Sequence, residues 1–403
     1  MRSKTGSILL FICTAAFLSG FFFRSIVKIQ SDYEADLLRV SRFTGSFTDL
    51  AKMFSGMARS QGALYAYDVL RKAKLPPRID IHLLGHAIGD ELFIQKGARG
   101  IWDCTQEFRN ACSHSIVVGL FMKDGEQSLG QIADICRNAP GGSGAYAMCF
   151  HGLGHGILSA TGYDLENAVI LCKKTSTPEK NNREGGECVG GAIMEIITGG
   201  FHDRDLWQKQ SKKYLTTSDP LYPCSAGFMT PDIQGMCYVY LTPHLLLRAG
   251  GSLADPRDES WSEAMKYCEL LHDGDPNKGI CYGGFGKEFI LIALGKDIRK
   301  INDMNDVQLG ILYSLCTLAL NTFGVNECVR SAVNSLYWGG ENDYHVGLRF
   351  CQGISQSDTK TVCFENLTGA VFYYSTSETL ERTFCKDIPV EYTDICMKKL
   401  PKN

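Results

Sequence analysis

Histidines are the residues of this sequence whose spacing most clearly suggests chemistry. The chain has nine of them, and five lie in the stretch from His82 to His155. Four of the five form two couples spaced i, i+4, and each such couple shares one face of a helix. An aspartate follows the first couple one helical turn later. These residues are the candidate metal ligands: His82, His86, Asp90, His114, His151 and His155.

Imidazole and carboxylate groups together suit zinc, copper or iron. Six candidates exceed the four ligands of a closed zinc site, so the set leaves room for an open coordination position or for two metal ions, as in catalysis by metal-bound water. Ligation of a haem by two of the histidines is an alternative, although the sequence has no C-x-x-C-H attachment motif. The structural alternative is that each histidine only hydrogen-bonds a neighbouring backbone group. Residues 82–86 lack the glutamate of the metalloprotease helix motif, which excludes that assignment.

The cysteines determine which elements position these histidines. The chain has 17 cysteines, and setting Cys13 aside leaves an even number that falls into consecutive couples along the chain. Such regular pairing is typical of a disulfide framework and therefore of an oxidising compartment. Zinc is the competing explanation, but no C-x-x-C knuckle occurs. The predicted couples are Cys104 with Cys112, Cys136 with Cys149, Cys172 with Cys188, Cys224 with Cys237, Cys268 with Cys281, Cys316 with Cys328, Cys351 with Cys363 and Cys385 with Cys396.

Internal repeats become visible when the chain is aligned on the second cysteine of each couple. The first cysteine ends one apolar-periodic stretch and the second begins another, so each bridge is expected to join two consecutive helices. In this alignment three of the histidines (82, 114 and 151) occupy the same position in successive repeats. Equivalent positions of stacked repeats line one surface, which predicts that the imidazoles converge. The sequence predicts an all-α fold, namely an α/α solenoid of disulfide-stapled helix hairpins.

Glycine recurs three residues after the second cysteine, at Gly152, Gly191 and Gly284. Glycine within a helix costs about 1 kcal/mol relative to alanine. We expect this cost to be offset by the close approach of an adjacent backbone. The alternative is that the glycine only loosens the first turn of the helix.

The arrangement of a cysteine that ends one helix, a short loop, a cysteine that opens the next helix and a glycine turn resembles the cysteine-paired Sel1-like repeats. These repeats are relatives of the tetratricopeptide repeats. The resemblance covers roughly residues 80–400. It implies a right-handed α/α solenoid and a surface that binds a partner, and it carries no catalytic residues with it.

The N-terminus contains an uncharged, mostly apolar run from Gly6 to Phe23, with basic residues on both sides. Eighteen helical residues extend roughly 27 Å, which is enough to cross a bilayer core. Because no clear small-x-small cleavage site precedes Arg24, we predict an uncleaved signal anchor over residues 1–28. A cleaved signal peptide, which would give a secreted protein, is the alternative. A helical spacer and cap (29–79) and the repeat array (80–403, histidine-rich over 80–160) follow, on the periplasmic or cell-surface side.

The amino-acid composition excludes some classes of function but does not identify one. A 44% hydrophobic content with 21% charged residues is typical of a folded protein, and a net charge of -3 without a basic block argues against nucleic acid as a partner. Three hypotheses remain open. The chain is a binding protein for a protein or peptide partner with a metal-binding histidine cluster, a metal-dependent hydrolase or oxidoreductase that uses the same cluster, or a purely structural scaffold.

Overall fold

The structure, a computed structural model, describes residues 32–76, 79–177, 182–199, 203–252, 257–339, 342–375 and 377–400. Within these ranges the chain is helical and contains no β-strand, as predicted. The helices are α1 (32–41), α2 (Phe47–Gln61), α3 (Ala63–Lys72), α4 (Ile81–Lys96), α5 (Glu107–Asp124), α6 (Leu129–Arg137), α7 (Gly142–Ala160), α8 (Leu165–Lys173), α9 (Arg183–Thr198), α10 (Arg204–Gln210), α11 (Lys212–Leu215), α12 (Pro231–Arg248), α13 (Asp258–Lys266), α14 (Pro276–Ala293), α15 (Asp306–Cys316), α16 (Thr322–Gly339), α17 (His345–Gly353), α18 (Ser357–Tyr374), α19 (Glu378–Asp387) and α20 (Thr393–Met397).

Side-chain caps define where several of these helices begin. The Asp80 carboxylate accepts a hydrogen bond from the Leu83 amide at 3.1 Å, which caps α4. Ser46 and Asp49 form a reciprocal capping box at the start of α2. Such caps satisfy amides that have no partner within the helix. The start of α4 is thereby fixed one residue before the first cavity-facing histidine.

All eight predicted cysteine couples form disulfides, with Cα–Cα distances of 5.3 to 5.7 Å. Each bridge joins positions close in sequence and clips consecutive segments together. This number of disulfides indicates an oxidising, extracytoplasmic environment. The bridges join Cys104 to Cys112, Cys136 to Cys149, Cys172 to Cys188, Cys224 to Cys237, Cys268 to Cys281, Cys316 to Cys328, Cys351 to Cys363 and Cys385 to Cys396.

The place of the second cysteine differs in detail from the prediction. It does not begin its helix but lies one or two turns inside it, as Cys149 in α7 and Cys188 in α9 show. The first turn of each such helix precedes the bridge, so the loop that a bridge closes includes helical residues. The same holds for the second cysteines Cys237 in α12, Cys281 in α14, Cys328 in α16, Cys363 in α18 and Cys396 in α20. Cys112 is the exception, because residues 108–110 of α5 are left-handed and the regular part of the helix begins just before this cysteine, as predicted.

The helices that carry the second cysteines form an inner row. In this row α5, α7, α9, α12, α14, α16 and α18 each pack against the next. The intervening helices, such as α6, α8, α13, α15 and α17, lie on the outside and pack on their neighbours in the inner row. A repeated pair of one inner and one outer helix is a helical repeat architecture.

The recurring glycines lie where inner helices touch. A Cβ atom on Gly191 would lie 1.9 Å from the carbonyl oxygen of His151, and one on Gly152 would lie 2.5 Å from the Cα of His114. A Cβ atom on Gly284 would lie 3.0 Å from the carbonyl oxygen of Val239. The predicted close approach of adjacent backbones is therefore confirmed at these positions.

The row of helices curves, so that residues late in the chain contact residues early in the chain. Arg299 donates hydrogen bonds to the carbonyl oxygens of Leu70 (2.7 Å) and Ala73 (2.8 Å). A second contact joins the middle of the chain to its C-terminal part, where the Arg183 guanidinium lies over the Tyr373 ring, 5.3 Å from the ring centroid. Because small residues bring the helices together on the inner side, the curvature is tight enough to enclose a cavity.

In the part of the chain that the structure describes, no helix combines the length and the apolar character needed to cross a bilayer. The predicted signal anchor, residues 1–28, lies outside the described residues.

Alanine at Gly191 should destabilise the protein, because the new methyl group would overlap the carbonyl of His151 and force α7 and α9 apart. Overpacking of this kind costs about 1–3 kcal/mol. Gly56 is the matched control, since it lies within α2 and an added Cβ would meet no atom within 4 Å. Gly56→Ala should therefore stabilise by up to about 1 kcal/mol through helix propensity. Urea unfolding of both variants measures the difference, and equal effects would contradict the close-approach argument.

Candidate metal centre

The curled inner row surrounds a cavity of about 460 Å³. Its wall is built from α4, α5, α7, α9, α12, α14 and α16, so almost every inner helix contributes. All five histidines of the N-terminal repeats line this cavity: His82, His86, His114, His151 and His155. Four of them are buried and His82 is half-buried.

The five imidazoles form one continuous cluster. The ring of His114 lies 5.4 Å from those of both His82 and His86, and 5.5 Å from that of His151, measured between centroids. His155 lies 5.0 Å from His151 and 6.1 Å from His86. The predicted convergence follows from the repeat register, because equivalent positions of α4, α5 and α7 point to the same interior.

His82 and His86 are held so that their Nε2 atoms face each other. The Nδ1 atom of His82 lies 2.7 Å from the carbonyl oxygen of Phe108. Ser115 donates its hydroxyl hydrogen to the carbonyl of His86 (3.0 Å), so its oxygen accepts from the Nδ1–H of the same residue at 3.2 Å. Both rings are then protonated on Nδ1, and metal-ligating histidines are typically fixed in this way through their second nitrogen.

The distances within this group suit a metal ion. The two Nε2 atoms of His82 and His86 are 3.2 Å apart. Two nitrogens bound at 2.0–2.1 Å to a tetrahedral zinc ion would be separated by about 3.3 Å. His114 completes the group, since one ligand atom from each of the three residues lies within 4.8 Å of the others. These three histidines could therefore hold a metal ion.

His155 shows the same kind of support on the other side of the cluster. Its Nδ1 atom lies 3.1 Å from Oε2 of Glu195, whose Oε1 accepts a hydrogen bond from the Tyr163 hydroxyl at 3.2 Å. Within the described residues, the Nε2 atom of His155 and the Nδ1 atom of His151 are buried and make no hydrogen bond. Polar atoms left in this state cost free energy unless a ligand or ion satisfies them.

Burial favours the neutral form of three of these imidazoles, those of His82, His114 and His151. Loss of solvation lowers the pKa of His82 to about 4. Loss of solvation also places the pKa values of His114 and His151 well below the ordinary value, and the neighbouring histidines add to the effect. Neutral imidazole is the form that binds metal ions, so burial prepares the donor atoms.

Asp90 is the predicted ligand that the structure does not bring to the cavity. It is half-buried on α4 and is not among the described residues that line the cavity. Burial raises the pKa of the Tyr67 hydroxyl, and the Asp90 carboxylate is the largest charge that adds to this shift. The reason is helical geometry: eight residues after His82 the helix has rotated by about 80° from the same face.

Several residues that line the cavity are not among the metal ligands predicted from the sequence. Position six after the second cysteine faces the cavity in four repeats, occupied by His155, Met194, Pro243 and Lys287. That shared register is a signal in the sequence that could have identified Lys287. Arg109 had no such signal, because it lies in an irregular turn before its cysteine.

The chain matches no protein-family model, no curated protein and no solved structure. Its candidate function therefore follows from the geometry of the cavity.

Acid should destabilise the metal-free protein, in part because buried neutral histidines must take up protons. His244 lies outside the cluster, so its contribution to the pH dependence of stability can be measured separately. Burial lowers the pKa of His244 to about 4, and the charge of Arg248 contributes. The unfolded chain takes up this proton near pH 6.5, whereas the folded protein does so only near pH 4. Between these values the wild type should lose up to about 1.4 kcal/mol of stability per pH unit relative to His244→Leu.

Urea unfolding of both proteins at pH 7, 6, 5 and 4 measures this difference. Parallel stability curves across that range would contradict the assignment of a buried, neutral His244.

Proposed function

We propose that this chain is an extracytoplasmic protein that binds one transition-metal ion through His82, His86 and His114. The observation that carries the proposal is the placement of three imidazole donors within 4.8 Å of one another on the wall of an interior cavity. A surface cluster of this kind would be solvated and mobile, whereas these rings are packed in the interior and those of His82 and His86 are also held through Nδ1.

The chemistry of the three imidazole ligands limits which metal ions can bind. Imidazole ligands suit zinc, copper and iron, and they are poor ligands for magnesium and calcium, which prefer oxygen. We therefore propose zinc, copper or iron as the native ion.

A second candidate function is catalysis, either hydrolytic or oxidative. Three protein ligands leave further coordination positions available, which is the arrangement of catalytic rather than structural zinc sites. The His155–Glu195 pair lies on the next helices, and the His155 ring is 6.1 Å from that of His86. A histidine oriented by a carboxylate can accept or donate a proton in general acid–base catalysis. A metal ion bound here would supply Lewis acidity or redox chemistry.

Location and partners belong to the same proposal. The disulfides support an extracytoplasmic site of action, and the apolar run within residues 1–28 supports attachment to a membrane. The resemblance to Sel1-like repeats supports a protein or peptide partner on the repeat surface. A purely structural scaffold would have no use for buried imidazoles without partners.

Protein made in an oxidising compartment should contain one zinc, copper or iron ion per chain by elemental analysis. His86→Ala should lose this ion, because the variant removes one of the three donors. His272→Ala is the matched control, since His272 lies in an exposed turn and contacts Asp273 rather than the cluster. Metal at 100 times its dissociation constant should stabilise the wild type against unfolding by about 2.7 kcal/mol, and should leave His86→Ala unchanged.

Ser115→Ala provides a graded test of the same site. The variant keeps all three donors but removes the oxygen that orients His86, so metal affinity should fall by about 10–100-fold. A wild-type protein that folds normally and retains no metal in competition with a weak chelator would overturn the proposal.

A further inference from the structure

A guanidinium group with two nitrogens that make no hydrogen bond within the described residues lies in the same cavity as the histidines. Arg109 lines the cavity, and its Nε and Nη2 atoms are shielded from solvent and make no hydrogen bond within the described part of the chain. Arginine stays protonated in proteins and offers five N–H donors in a planar fork. A buried cation with unused donors is costly, and structures keep such groups where a ligand completes them.

The carboxylates of the cavity wall are already engaged by other groups. Glu288 contributes the largest attraction that opposes the effect of burial on Arg109. However, its Oε1 atom forms an ion pair with Nζ of Lys287 at 2.5 Å. Glu195 bonds to His155 and Tyr163. The third carboxylate of the wall, Asp80, attracts Arg109 more weakly than Glu288 does, and it accepts the capping hydrogen bond from the Leu83 amide.

A second cation adds to the positive charge of this wall. The Lys287 ammonium group lies over the Tyr240 ring, 4.4 Å from its centroid. It is largely buried, with 15% of its side chain exposed. Glu288 is thus shared between Arg109 and Lys287, and no carboxylate of the described residues forms a hydrogen bond with Nε or Nη2 of Arg109.

The backbone holds Arg109 in place at a cost in strain. Phe108, Arg109 and Asn110 have φ values of 54°, 54° and 61°, so three consecutive non-glycine residues are left-handed. This conformation costs roughly 1–2 kcal/mol per residue. It directs the Phe108 carbonyl to Nδ1 of His82 at 2.7 Å while the next side chain lines the cavity. One strained turn therefore positions a candidate metal ligand and the guanidinium together, and strain of this kind concentrates at ligand sites.

The rest of the wall is largely apolar. Met194 on α9, Leu291 on α14 and Trp338 on α16 line the cavity together with Leu83 and Ile292. A volume of about 460 Å³ falls within the range of small-molecule sites, which combine an apolar lining with a few polar anchors. An occupant that matches this wall has one anionic group and an apolar body.

We propose that the cavity binds a small organic carboxylate. The carboxylate group accepts hydrogen bonds from the Arg109 guanidinium, with Lys287 contributing positive charge nearby. The apolar body lies against Met194, Leu291 and Trp338. The proposal deepens the proposed function, because it names the ligand class of the same cavity. Arg109 does not need the metal in order to bind an anion, so the two proposals can fail separately.

Calorimetric titration of the full-length protein with acetate, hexanoate and hexanamide tests this proposal. Hexanoate should bind at least tenfold more tightly than acetate, because burial of each methylene group is favourable. Hexanamide should bind at least tenfold more weakly than hexanoate, since it lacks the charge. Inorganic phosphate is titrated in parallel, and binding of phosphate without binding of hexanoate would replace the organic ligand by a simple oxyanion and overturn the proposal.

Arg109→Met separates a binding role from a structural one. Loss of the charge-assisted hydrogen bonds should weaken hexanoate binding by about 10–100-fold. The melting temperature without ligand should stay the same or rise, because a buried cation without partners is replaced by an apolar side chain of similar length. Arg137→Gln, at an exposed arginine on α6, is the control and should change neither quantity.

Hexanoate affinity equal to that of the wild type in Arg109→Met would overturn the proposal, whatever the melting temperature of the variant. The titrations are run with and without a chelator. Carboxylate binding to metal-free protein that never binds metal would reject the proposed metal site alone. Metal binding without binding of hexanoate or acetate would reject the carboxylate alone.

Discussion

Direct contact between the backbones of neighbouring inner helices is the constraint on which this structure depends. At Gly152 and Gly191 no side chain separates one helix from the next, so α5, α7 and α9 approach more closely than leucine-lined helices can. Close approach on one side bends the row, and the bend brings α14 and α16 within reach of α4 and α7. The enclosed cavity and the converging imidazoles both follow from this curvature.

The interior of the curl is unusual because titratable side chains lie within a largely apolar wall. Five imidazoles, a guanidinium and an ammonium group lie where a helical array would ordinarily bury leucine and isoleucine. Burying such groups costs free energy, as the depressed pKa values of His82 and His114 indicate. The disulfides offset such a cost, since each bridge restricts the unfolded chain and is worth about 3 kcal/mol for a loop of this length. The protein therefore combines buried titratable groups, which cost stability, with eight buried disulfides, which add to it.

Much of this arrangement could be predicted from the sequence, because it is local or periodic. The cysteine couples, the helix start at Asp80 and the register of His82, His114 and His151 depend on spacing along the chain. Curvature could not be predicted, because it accumulates over all repeats from small offsets at each helix contact. For the same reason the sequence did not indicate that Trp338 shares a cavity with His82. The left-handed turn at Arg109 has no periodic signature and no glycine to mark it.

The disulfides are covalent and local, whereas the contacts that close the curl are non-covalent and join distant parts of the chain. Every disulfide spans 8 to 16 positions, so none of them joins the early repeats to the late ones. That junction consists of the Arg299 hydrogen bonds to Leu70 and Ala73 and of contacts such as Arg183 with Tyr373. The row of helices is thus cross-linked locally by covalent bonds, whereas its curl is held by non-covalent contacts within the described residues. Denaturant can therefore open the curl without breaking a disulfide, and the two segments joined by each bridge stay together when it does.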